Sequence, residues 1–334
     1  MKPEEKSWLP SAQVLEQWLE LSEKRGIEDL IGKSLLAPLV EFLSRPSKHF
    51  RGQLVRCGFE LVNPNGRHEQ YVEGAMQVLE AIHAASLVVD DIQDNSELRR
   101  GQPALHRTHG LAVALNSANW LYFWPFETIE QWDLSPQIKL ELTRACHRAL
   151  IRAHAGQALD LGTPISDLPQ ERIKSVCLAS LELKTGALTA LALELGAILA
   201  EGTPGQITEL SRMGCDFGTA LQMFDDLGNI NHKAYPDPKR FEDLKGKRPS
   251  WVWASAAELL SVDEYERFKK VVNTLPEEEE INCYFESAEW VREAKDNAKS
   301  FLDNALDRLT LPSWNEAAVN KLLSIGETLK RSYE

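Results

Sequence analysis

The five cysteines of this chain (Cys57, Cys146, Cys177, Cys215 and Cys283) are odd in number and never fall in a CxxC pair. That excludes a thiol-rich zinc knuckle, argues against a disulfide frame, and fits reduced thiols in the cytosol. Basic residues are also short, 37 Lys and Arg against 50 Asp and Glu for a formal net charge of −13. Nucleic acid is therefore not expected as a partner. No uncharged apolar run reaches the roughly 18 residues a membrane span needs. The N-terminal Met1 to Lys6 lacks the apolar core of a signal peptide. The expectation is a soluble, cytoplasmic protein with no membrane span. No stretch alternates as a strand, no repeat of about 20–50 residues is found, and no composition shift marks a linker. One domain over residues 1–334 is expected.

What the chain does have is apolar residues at helical spacing, with 43% hydrophobic content to build a core. Residues 11–45 read as two helices divided at Gly26, and further helices are expected over 54–62, 70–94, 108–132, 136–160 and 170–200. The pattern resumes over 205–229, 251–260, 263–274, 285–309 and 314–332. Pro125 should kink or end the fourth of these after Gly26, and Gly186 should break the sixth. Pro276 to Glu280 reads as a solvated charge run. Such a series of helices indicates an all-α bundle. Gly32-Lys33-Ser34 resembles the end of a phosphate loop, but Ile27 stands where that motif needs glycine.

Two of these helices end in acid. The first runs from His83 through Ala85, Ser86 and Val89 into Asp90-Asp91-x-x-Asp94. The second ends in Gln222-Met223-Phe224-Asp225-Asp226-x-x-Asn229. Residues four apart share a helix face, so each end gathers its carboxylates, which repel one another unless a cation intervenes. Five aspartates without His or Cys select Mg²⁺ or Mn²⁺ over Zn²⁺. Lys48, Arg51, Arg99, Arg100, Lys184 and Lys247 supply positive charge for phosphate oxygens, and a short basic loop, Pro46 to Arg51, precedes a helix N-terminus. If the two clusters face one cavity, the apolar helices leading to them would line a tunnel behind a polyphosphate head. That describes a site for an apolar diphosphate.

In this order the chain resembles the trans-isoprenyl (polyprenyl) diphosphate synthases. The matching features are the Lys48/Arg51 loop, Asp90-Asp91-x-x-Asp94, Arg99-Arg100-Gly101 and Gly156-Gln157-x-x-Asp160. Lys184-Thr185, the Asp225 cluster and the Lys247 region complete the set. The resemblance implies an isoprenoid-synthase-type helical bundle around a central cavity, acting as a homodimer. It implies three Mg²⁺ on an allylic prenyl diphosphate, held by Asp90, Asp91, Asp94, Asp225, Asp226 and the Asn229 position, with Mn²⁺ as a substitute. Arg99, Lys184, Thr185, Gln222 and Lys247 would assist there. Lys48, Arg51, His83 and Arg100 would hold isopentenyl diphosphate.

The chain departs from that pattern in places. Asn229 stands where a third aspartate is common, Val89 where His is common, Pro46-Ser47 where two glycines are, and Asn119 where Asp is frequent. Arg248 or Lys245 could take the place of Lys247. Ala85 and Ser86, one turn before Asp90, are small, which points to a product of C20 or longer unless Trp120, Tyr122 or Phe123 closes the tunnel. Three readings remain open: elongation, a terpene cyclase or transfer to another acceptor on the same fold, and a non-enzymatic regulatory subunit.

Overall fold

The computed structural model describes residues 9–10, 14–15, 19, 27–46, 50–230, 240–310 and 314–332. Lys48, most of the first expected helix and residues 231–239 of the 230–249 loop lie outside them. In chain order the helices are α1 (Glu28–Ile31), α2 (Ala37–Leu43), α3 (Phe50–Val62), α4 (Val72–Gln93), α5 (Leu105–His109), α6 (Leu111–Glu130), α7 (Pro136–Gly162) and α8 (Gln170–Leu181). They continue as α9 (Ala187–Leu199), α10 (Pro204–Asn229), α11 (Glu242–Lys245), α12 (Trp251–Leu259), α13 (Val262–Val272), α14 (Glu279–Glu286), α15 (Trp290–Leu306) and α16 (Glu316–Ser332). The all-α class is borne out.

Three local expectations need correction. A two-stranded hairpin, β1 (Leu98–Arg99) with β2 (Gln102–Pro103), is present; strands of two residues are too short to alternate. α6 continues through Pro125 to Glu130, because Trp124 and Pro125 are buried and packing holds the turn that loses a hydrogen bond. Gly186 does not break its helix; residues Glu182–Gly186 form a π-helical turn that passes straight into α9. Two helical stretches, Glu69–Gln93 and Gln170–Leu199, are long and apolar enough to cross a membrane by length and composition. In the second, 67% of the most apolar window is buried inside the protein.

The chain forms two compact units, Met1–Gln53 with Glu73–Lys139, and Leu54–Val72 with Leu140–Glu334. In the first, the core gathers Leu39 and Phe42 of α2, Val78, Leu79, Ala81, Ala84, Ala85 and Val88 of α4, and Ala118 and Leu121 of α6. In the second, every residue of α9 is buried, so this helix is apolar all round rather than amphipathic. Its neighbours approach closely. A Cβ on Gly196 would fall 2.0 Å from the Val55 carbonyl oxygen, and one on Gly58 would fall 2.3 Å from that of Leu193. Side chains larger than hydrogen would force these helices apart. In the same unit the Trp253, Tyr265, Phe268 and Trp290 rings pack edge to face or tilted against one another.

Candidate active site

In the first unit the helical repeat sets the carboxylates of α4 on different faces. Asp91 is fully buried, whereas the Asp90 side chain retains 21% exposure and Asp94 is partly exposed. Arg99 donates from Nε and Nη2 to Asp91 Oδ1, at 2.8 and 2.5 Å, and its Nη2 also lies 3.5 Å from Asp90 Oδ2. Asp91 Oδ2 is buried with no hydrogen-bond partner. The hairpin that carries Arg99 and Arg100 turns through Arg100 and Gly101, at φ of 55° and 74°, as a two-residue turn with both φ positive. Arg100 Nη2 lies 3.3 Å from Glu80 Oε1.

A second, cationic group sits in the same unit. Arg51 Nη1 lies 3.2 Å from His83 Nε2. Burial first, then the charges of Arg51, Arg100 and Arg99, hold the His83 pKa well below its ordinary value. The ring is therefore neutral and accepts at Nε2 from Arg51, which leaves the proton on Nδ1. His83 Nδ1 and Arg100 Nη1 are both buried donors with no partner. Unsatisfied buried donors of this kind are costly unless an acceptor arrives. An anion is the acceptor that suits them.

In the second unit, α7 delivers Asp160 to the π-turn. A Cβ on Gly156 would fall 2.5 Å from the Lys184 backbone nitrogen, so glycine there lets α7 seat against the turn. One helical turn on, Asp160 Oδ2 accepts from Lys184 Nζ at 2.9 Å and from Arg248 Nη1 at 3.0 Å. Of the three cations the sequence offered near residue 247, Arg248 is the one brought to Asp160. Lys247 has φ of 51° and its carbonyl accepts from Ile165 N. Lys245 pairs with Glu278 at 3.1 Å.

The second acid cluster divides as the first does. Asp225 is exposed and Asn229 partly so, four residues apart on α10, while Asp226 is 3% exposed. Asp226 Oδ1 accepts from Gln222 Nε2 at 2.9 Å and Oδ2 from Trp251 N at 2.7 Å. Gln222 Oε1 in turn accepts from Thr185 Oγ1 at 2.8 Å. Burial, then the charge of Asp243, raises the Asp226 pKa well above the carboxylate range. Asp243, which motif reading missed, is pushed up to about 6 by burial and by Asp160 and Glu242, against the opposing charges of Lys184 and Arg248. No motif marks it; only the fold brings it to Asp160.

Ala85 is fully buried and Ser86 Oγ donates to the His83 carbonyl at 2.7 Å. Of the aromatics on α6, Phe123 is 70% exposed and so does not close a buried channel. Tyr122 does lie near the acid cluster: burial, then the Asp90 charge, raises its pKa.

The donor sets are oxygen-only, as hard divalent cations require. Among the described residues no three acidic, histidine or cysteine side chains converge to hold a metal. The residues still fit Mg²⁺, which binds through one or two carboxylates and completes its shell with substrate phosphate oxygens and water. The unpartnered Asp91 oxygen beside the Asp90 carboxylate is the observation that carries this fit.

The polyprenyl synthetase family matches over residues 33–287. The chain belongs to that family. It is 33% identical over 227 residues to a geranylgeranyl pyrophosphate synthase of Aspergillus fumigatus, a match covering 67% of this chain and 59% of that protein. It is 28% identical over 269 residues to a short chain isoprenyl diphosphate synthase of Methanothermobacter thermautotrophicus, covering 78% and 79% of the two chains. Its fold matches the crystal structure of a geranylgeranyl pyrophosphate synthetase from Pyrococcus horikoshii with a TM-score of 0.73, at 23% identity over 94% of each chain. The chain spans about three fifths of the length of the Aspergillus relative.

Proposed function

We propose that the chain is a transferase of the trans-polyprenyl diphosphate synthase type, with residues 1–334 acting as one polyprenyl-synthase-like domain. It condenses an allylic prenyl diphosphate with isopentenyl diphosphate. The observation that carries this reading is the pairing of two unlike anion sites in one unit. One is the Asp90–Arg99 group, suited to a cation-bridged diphosphate; the other is the Arg51–His83–Arg100 group, with unpartnered donors at His83 and Arg100. A cyclase has one diphosphate to hold, so the second group favours elongation over cyclisation. A regulatory subunit has no use for either.

By the resemblance we assign Asp90, Asp94, Asp225 and Asn229 to Mg²⁺, three ions per site with Mn²⁺ able to substitute, and the unpartnered Oδ2 of Asp91 is open to the same ions. Asp91 Oδ1 fixes Arg99 within the first unit, and Asp226 is held by Gln222 and Trp251 N within the second. Bound Mg²⁺ would neutralise charge on the departing diphosphate. Arg99, Lys184 and Arg248 add fixed positive charge there, with Thr185 and Gln222 behind them; Lys247 and Lys48 remain assigned by resemblance. Arg51, His83 and Arg100 orient the second diphosphate so that its double bond lies in attack geometry. The allylic carbon–oxygen bond breaks and the electron pair leaves with pyrophosphate. The isopentenyl double bond then forms the new carbon–carbon bond, and the proton lost from its C2 passes to pyrophosphate, since no side chain in the groups above is placed as a base. Exclusion of water protects the cation.

The buried, small Ala85 and the geranylgeranyl pyrophosphate synthases among the relatives support a C20 product. Supporting the family parallel, we read the protein as a cytoplasmic homodimer; light scattering at micromolar concentration tests the dimer, and a monomer would refute it. The function test incubates the protein and Mg²⁺ with dimethylallyl, geranyl or farnesyl diphosphate, with and without isopentenyl diphosphate. Products are read by mass. Longer prenyl diphosphates are expected only with isopentenyl diphosphate; hydrocarbon formed without it would overturn the reading in favour of a cyclase.

A further inference from the structure

Arg45 belongs to none of the motifs above, yet it is one of the most enclosed charged residues described, at 3% exposure. It follows the last turn of α2, and its guanidinium uses nearly all of its donors. Nε and Nη2 donate to Glu41 Oε1 at 2.9 and 2.8 Å. Nη1 donates to the Arg99 carbonyl at 3.2 Å, and Nη2 to the Pro103 carbonyl at 2.9 Å. Those carbonyls lie on the two opposite strands of the β1–β2 hairpin, so one side chain ties both. The guanidinium also lies 5.1 Å from the centre of the Phe42 ring, and Arg100 lies 5.5 Å from the same ring.

A ladder of two residues per strand holds itself together poorly. This one also carries a non-glycine residue, Arg100, at positive φ, a conformation that persists only where its surroundings enforce it. The local sequence does not supply that enforcement. The last turn of α2 does, through the Arg45 fork and the Phe42 face. What the hairpin presents is the pair of arginines given above to the two diphosphates: Arg99 against Asp91 and Asp90, and Arg100 beside Glu80.

We propose that Arg45 is a positioning residue: its guanidinium fixes the Arg99–Arg100 hairpin and so sets the geometry of both diphosphate sites. The proposal rests on the proposed function only for what the two arginines bind. The planar fork is essential, since a lysine at this position has a single nitrogen and cannot reach Glu41 and both strands together.

The test compares the wild type with Arg45→Met, Arg45→Lys and Glu41→Gln. Calorimetric binding of inorganic pyrophosphate with Mg²⁺ reads the arginine pair whatever the reaction turns out to be. Kinetics then give KM and kcat with isopentenyl diphosphate. Arg45→Met is expected to weaken pyrophosphate binding about tenfold and to raise KM for isopentenyl diphosphate by a similar factor, with a smaller loss in kcat. Arg45→Lys should fail to restore either. Glu41→Gln, at a residue still 36% exposed in its side chain, should give a milder rise of about threefold. Unchanged binding and KM in a folded Arg45→Met, or full rescue by lysine, would overturn the proposal, because a purely structural residue lowers thermal stability without moving either constant. If Arg45→Met does not fold, Glu41→Gln decides: a shifted constant supports the role and an unchanged one removes it. Failure of the wild type to elongate any allylic substrate would sink the function while leaving the pyrophosphate comparison to judge Arg45.

Discussion

Arg248 Nη1 lies 3.0 Å from Asp160 Oδ2, the same oxygen that accepts from Lys184 Nζ at 2.9 Å. One carboxylate, 11% exposed in its side chain, thus holds two cations that would otherwise repel. Asp160→Asn keeps an acceptor but removes the charge that draws both together. It is expected to raise KM for the allylic diphosphate about tenfold and to lower kcat as well. KM for isopentenyl diphosphate should change little. Equal effects on the two substrates would refute this division of labour.

The adjacent Asp90 and Asp91 should respond differently to removal. Asp90 faces outward, and Asp90→Ala is expected to cost about a thousandfold in kcat, the scale of losing a metal-bridged charge interaction. Asp91 is the buried partner of Arg99. Asp91→Asn should lower stability, by on the order of 3 kcal/mol for a broken buried pair, and should reduce activity less than Asp90→Ala. Thermal denaturation alongside steady-state rates checks both. Retained turnover in Asp90→Ala would remove the metal assignment.

How much of this was legible in the sequence follows from range. Asp90, Asp94, Asp225 and Asn229 announce themselves through four-residue spacing at the end of apolar helices, a local signal. The helices are legible for the same reason. The difference between Asp90 and Asp91 is not legible, because neighbours in a helix differ only in what packs against them. Arg45 depends on acceptors 54 and 58 residues away, and Asp243 on an Asp160 that is 83 positions earlier (243 − 160). Those relations exist only once the chain is folded.

Asn229 gives the second cluster one charge fewer than the first. An amide oxygen ligates a hard cation but attracts it less than a carboxylate does. Asn229→Asp should therefore lower the Mg²⁺ concentration needed for half-maximal rate, by about threefold to tenfold. The check is a Mg²⁺ titration at saturating substrates. An unchanged or higher requirement would place the metal elsewhere.

Asp243 supplies a pH dependence. Its folded pKa of about 6 lies above the ordinary 3.8, so the folded state holds this proton more tightly than the unfolded chain does. The stability linked to it is complete below about 3.8 and is lost as the pH rises through about 6. Above that point the ionised carboxylate faces Asp160, Glu242 and Asp226, with Lys184 and Arg248 as partial compensation. Asp243→Asn, measured without divalent cations, should raise the melting temperature by a few degrees above pH 6, with the gain shrinking toward pH 4. A gain of the same size at every pH would mean that packing, not ionisation, is responsible.

Product length is the last consequence of the α4 geometry. Ala85 is fully buried, five residues before Asp90 on the same helix. A larger side chain there would intrude on whatever space extends beyond the allylic head. Ala85→Phe adds a ring of atoms that a close-packed helix cannot absorb without narrowing that space. With isopentenyl diphosphate and dimethylallyl or geranyl diphosphate as starters, the variant should release a product at least one five-carbon unit shorter than the wild type. Phe123→Ala, at a side chain already 70% exposed, should leave the length unchanged and serves as the control. An unaltered product from Ala85→Phe, in a variant that still turns over, would move the floor to Tyr122 or Trp120, and Tyr122→Ala would then be expected to lengthen the product.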